Sequence, residues 1–149
     1  MAVLAAVACA LFGAAGCGEG EGVSAGATVA AYVEAPLCSA AQRELASESG
    51  RAGEVRVRTV CLASVNNGGR TDLAKVGANA RRATEDSAAV GYLEVPVTPS
   101  FSRSIVEAAG IAVVRDASGA AAMRELLDAI READDSGPLR ESVRESLAS

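Results

Sequence analysis

Short apolar runs alternate along this chain with longer stretches whose apolar residues recur every three or four positions. Residues 28 to 33 (TVAAYV) predict a strand, and Ser39 is placed to cap a helix over 40 to 49 that Gly50 closes. Residues 54 to 62 (EVRVRTVCL) first alternate Val with Arg and then become continuously apolar, the pattern of a strand with an exposed start and a buried end. Asn66 to Gly69 is a turn. A helix over about 71 to 86 places Leu73, Val76, Ala80 and Ala83 on one face, with Lys75, Arg81, Arg82 and Glu85 on others. A strand over 88 to 95 leads through Pro96 and Pro99 into a helix over 100 to 109, with Phe101, Ile105 and Ala108 inward and Gly110 as its stop. A strand at 111 to 114 follows. Ser118 then opens a long helix to 133 striped with Met123, Leu126, Leu127 and Ile130, with Arg124 and Asp128 as an i,i+4 pair. Leu139, Val143 and Leu147 mark a last helix after a turn at 134 to 138.

Strands that alternate with helices call for parallel pairing through right-handed crossovers, and hence for a sheet with both faces covered. The expectation is one three-layer α/β/α domain with a parallel sheet over residues 27–149.

The amino terminus obeys a different pattern. MAVLAAVACALFGAAGC is an uncharged apolar run ending in small residues before Cys17. It is too short for the ~20 residues of a membrane-spanning helix but suits the apolar region of an export signal. Ala14-Ala15-Gly16-Cys17 resembles a bacterial lipobox, which implies a lipoprotein signal peptide over 1–16 and lipid on Cys17. The stretch also fits a secretory signal without lipid, or a buried Ala-rich helix ending at Gly16. With lipid, the protein is attached to a membrane by acyl chains, about 0.8 kcal/mol per buried methylene, and lies outside the bilayer. The expected location is the cell envelope, extracytoplasmic and lipid-anchored. Residues 17–26 are Gly-rich and read as a flexible tether; they lack the lysine and the preceding strand of a phosphate loop.

Composition removes several classes of function. The 149 residues are half apolar but only 3% aromatic, so the core is built from Ala, Val and Leu. A net charge of −5 with no basic patch argues against nucleic acid. The absence of histidine removes the usual general base and the commonest metal ligand, so no enzyme activity and no cofactor are expected. Cys9 leaves with the signal and Cys17 carries lipid, which leaves Cys38 and Cys61 as the pair expected to bond in an oxidising compartment. Among the carboxylates, Asp134-Asp135-Ser136-Gly137 lacks the remaining positions of a calcium loop and reads as a turn. Glu34 and Glu94 follow strands that lie close together, which a paired-carboxylate hydrolase would need, but ordinary surface charge accounts for them.

GANARRATEDSAAVGYLEV at 77 to 95 and SFSRSIVEAAGIAVV at 100 to 114 resemble the amino-terminal lobe of type I periplasmic binding proteins, in particular the branched-chain amino-acid receptors of ABC transporters. GAAAMRELLDAIREA at 119 to 133 resembles a helix near the carboxyl end of the same receptors. The resemblance implies a single lobe of that fold, with the second lobe missing and the return helix closing the sheet. It further implies that Cys38 and Cys61 end neighbouring strands, ~4.8 Å apart, a spacing a disulfide can bridge. A binding loop at 96 to 100 would use Thr98 and Ser100 on a ligand carboxylate, with Ser118 near another ligand position; for Ser100 and Ser118 a helix cap is the preferred reading. The implied partners are a small solute such as an amino acid, weakly held for want of a second lobe, an ABC permease, and the membrane through the N-terminal lipid. A homodimer across the open face is a further implication, and so is the alternative of a non-catalytic interaction lobe or a remnant of a deleted receptor.

Overall fold

The structure is a computed structural model that describes residues 27–133 and 138–149; the expected signal, Cys17, the tether and the Asp134-Asp135 turn lie outside the described residues. A five-stranded sheet runs in the order β2-β3-β1-β6-β7. The four longer strands, β1 (Thr28–Val33), β3 (Val55–Cys61), β6 (Ala89–Glu94) and β7 (Ala112–Arg115), are parallel. The expectation of an α/β sheet holds, with one amendment. β2 (Arg51–Ala52) pairs antiparallel with β3 across the turn at Gly53 and Glu54, where Gly53 has positive φ, so the sheet is mixed. β4 (Asn66–Asn67) and β5 (Arg70–Thr71) form a separate hairpin around Gly68 and Gly69, where the turn was expected.

The pleat divides the core in two. Val29, Ala31 and Val33 point to the face covered by α1 (Ala35–Ser47), α4 (Gly119–Glu132) and α5 (Leu139–Ala148). Ala30 and Tyr32 point to the face covered by α2 (Leu73–Thr84) and α3 (Phe101–Ala108). Small residues let the layers close up. A Cβ on Gly91 of β6 would come within 2.5 Å of Leu126 on α4. One on Gly119 would strike the Leu37 carbonyl of α1, so α4 and α1 meet backbone against side-chain-free backbone.

Four local expectations are corrected. α1 begins at Ala35 with Pro36 in its first turn, where proline's missing N–H costs nothing, so Ser39 lies inside the helix. The last residues of β3 are not buried, because β2 pairs only with its first two residues and no described strand lies beyond the rest; Cys61 is exposed and Val60 half-buried, while Leu62 just after the strand is buried as expected. α3 is rotated by about one residue from the expected stripe, burying Ser102 and Val106 while Phe101 and Ala108 face out. Arg124 pairs with Glu44 of α1 at 2.9 Å, and Asp128 with Arg131 at 2.6 Å, so the expected Arg124–Asp128 pair does not form. The α4 stripe of Met123, Leu126, Leu127 and Ile130 is buried as expected, with Leu139 and Val143 of α5 against the same core.

Cys38 and Cys61 are bonded, with 5.7 Å between their Cα atoms. Cys38 sits in α1, not at a strand end, so the bridge ties the helix to β3. No described helix is long and apolar enough to cross a membrane.

Candidate site at the carboxyl end of the sheet

From β1 the chain order runs to β3 on one side and to β6 on the other, so the crossovers separate at this pair of strands. In open parallel sheets such a switch point leaves a crevice beyond the carboxyl ends of the strands. The residues that close β1, β6 and β7 here are Glu34, Glu94 and Arg115.

Glu34 occupies the cap position of α1 but does not cap it. Its carboxylate instead crosses to the loop after β6, where Oε2 accepts the Val95 N–H at 2.8 Å and the Thr98 hydroxyl at 2.7 Å. The residue is 3% exposed. Glu94 is fully buried; its Oε1 lies 3.0 Å from Arg115 Nε and 3.6 Å from Arg103 Nε. The Ser102 hydroxyl donates to the Pro99 carbonyl at 2.8 Å and stands 3.4 Å from Glu94 Oε2, which explains the rotation of α3. Arg115 Nη2 donates to the Thr98 carbonyl at 2.6 Å, so Thr98 is held through its side chain by one strand end and through its backbone by another.

Burial raises the pKa of both glutamates. For Glu34 the Val95 N–H, the Thr98 hydroxyl and Arg115 oppose it. For Glu94 the main opposition is Arg115, while the charge of Glu34 adds to the rise. Beneath them the Tyr92 hydroxyl is buried without a hydrogen-bond partner among the described residues, and burial followed by the two carboxylates drives its pKa well above the usual phenol range.

The expected site residues divide. Thr98 belongs to this cluster, with its hydroxyl spent on Glu34. Ser100 is exposed, has helical backbone angles and makes no side-chain cap. Ser118 follows β7 and caps α4 by accepting the Ala121 N–H at 3.3 Å. Glu34 and Glu94 are not the surface charges that the sequence suggested. Sequence reasoning missed Ser102, Arg103, Arg115 and Tyr92. The available signal was the acid, acid, base series at positions 34, 94 and 115, one residue at the end of each of three neighbouring strands.

Three large apolar side chains are exposed among the described residues. Val97 is 87% exposed, Leu73 57% and Phe101 40%. Leu73 was expected inside the α2 stripe, but α2 turns Val76, Ala80 and Ala83 inward and leaves its first residue out. Phe101 lies over Gly77 of α2, where a Cβ would sit 3.7 Å from its ring. Among the described residues no cluster of acidic or cysteine side chains is arranged to hold a metal ion. No protein-family model, curated protein or solved structure matches this chain.

Proposed function

We propose that this protein is an extracytoplasmic lipoprotein, anchored through Cys17, whose single lobe binds small carboxylate-bearing solutes such as amino acids at the carboxyl end of its sheet. Relationship to the receptors of branched-chain amino-acid ABC transporters is part of this proposal, as is an ABC permease as its partner. One observation carries it: the Val95 N–H and Thr98 hydroxyl converge on a carboxylate at 2.8 and 2.7 Å, at the switch point. In the chain at rest that carboxylate is Glu34's own, so a free solute competes with an intramolecular group and binds weakly. Binding without catalysis is in keeping with a sequence that has no histidine and with carboxylates already engaged by protein donors.

Calorimetric titration of the wild type and of Glu34→Ala with the common amino acids tests this. Removing the Glu34 carboxylate vacates the two donors, so the variant should bind at least one amino acid more tightly than the wild type does. A folded Glu34→Ala protein that binds none would refute the solute reading. The exposed Leu73, Val97 and Phe101 favour a second reading, contact with another protein. Loss of a co-purifying partner on Val97→Asp, with amino acids still ignored, would select it.

A further inference from the structure

The two edges of the sheet are treated differently. β2 and Gly50 cover the outer side of β3 over residues 55 to 57, whereas no described strand covers the outer side of β7. Bare edges invite further strands, and proteins commonly block them with charge, proline or a covering element. Ala112, Val113 and Val114 carry neither charge nor proline. The edge also forms the floor of a slot of about 380 Å³ between two helices, with Glu107 of α3 on one wall and Arg144, Leu147 and Ala148 of α5 on the other.

The hydrogen-bond phase of β7 identifies which peptides face outward. Asp116 N–H donates inward to the Glu94 carbonyl at 3.3 Å, so by alternation the peptides of Ala112 and Val114 also face β6. Those of Val113 and Arg115 therefore point away from the sheet. This two-residue spacing is self-complementary. An antiparallel copy related by a twofold axis through Val114 sets Val113 opposite Arg115 of the second copy, and Arg115 opposite its Val113. Each is a hydrogen-bonded pair that exchanges two bonds. The same register sets Asp116 of the second copy opposite Ala112, on the side where Arg144 lines the slot. Its Arg115 lies on the α3 side, with the guanidinium held by Glu94 and Thr98 of its own protomer.

We propose that the outer edge of β7 is an interface with a second copy of this chain, joining two sheets into one continuous sheet through antiparallel β7 pairing. The pairing uses the outward backbone of Val113 and Arg115, while the Arg115 side chain stays with Glu94 and Thr98 at the strand end; it does not depend on the function proposed above.

Sedimentation of the full chain in density-matched detergent should give twice the protomer mass, and Val113→Pro should lose the dimer. Proline at 113 removes an outward N–H and leaves every bond to β6 in place. A wild-type protomer at all concentrations overturns the proposal, and so does a dimer that survives Val113→Pro. If that variant does not fold, hydrogen exchange on the wild type decides. Protection of the Val113 and Arg115 amides that grows with protein concentration supports the pairing; rapid exchange where the mass is dimeric contradicts it.

Discussion

Glu94 has no exposed surface, and it keeps company with two arginines that are about one-third exposed. Losing a partner from a fully buried ion pair costs about 3–5 kcal/mol; because solvent reaches Arg115, we expect Arg115→Ala to cost about 2 kcal/mol in chemical denaturation. The raised pKa values of Glu34 and Glu94 give a further prediction. The folded chain holds these protons more tightly than the unfolded one does. Stability therefore rises as pH falls from neutrality, and this gain is complete below the ordinary glutamate value of 4.5. Asp86 acts in the opposite sense. Burial pushes its pKa up, but the Ala88 N–H, the Tyr32 hydroxyl and Arg58 outweigh that and hold it below its ordinary 3.8. Its contribution is present above 3.8 and is lost as pH falls through the lower folded value. The melting temperature should accordingly climb on mild acidification and drop in stronger acid. Glu34→Gln combined with Glu94→Gln should flatten the climb and leave the drop. These glutamates were visible in the sequence only as charges after strands; their burial depends on Thr98 and Arg115, which reach them from other segments.

The helices were legible where one face carries large apolar residues, as with Met123, Leu126, Leu127 and Ile130. They were misread where a polar contact sets the rotation. Ser102 turns α3 toward Glu94, which puts Phe101 outside despite its size. The two serine caps expected from the sequence now separate by experiment. Ser118→Ala removes a hydrogen bond to the first turn of α4 and should cost about 1 kcal/mol. Ser100→Ala removes no cap and should stay within about 0.5 kcal/mol of the wild type. Paired denaturation curves of the two variants check this. The start of α1 was missed because Ser39 has the chemistry of a cap, whereas Pro36 in the first turn is itself compatible with a helix.

Over the whole molecule, the alternating apolar blocks were enough to give an α/β sheet, while the antiparallel β2 was too short to leave a pattern. Pairing Cys38 with Cys61 was legible by elimination, and the bridge fastens α1 to β3 beside the candidate site. Replacing both cysteines with serine should lower stability by about 3 kcal/mol in the chain-entropy account, read as a lower denaturation midpoint. The carboxylate held between Val95 and Thr98 underlies the functional proposal, and the most direct test follows that site itself. In a titration of isotope-labelled protein with amino acids, the account predicts saturable shifts of the Val95 amide and the Thr98 resonances, larger in Glu34→Ala than in the wild type. If those signals stay fixed in both proteins throughout the titration, the carboxyl end of this sheet is not a solute site.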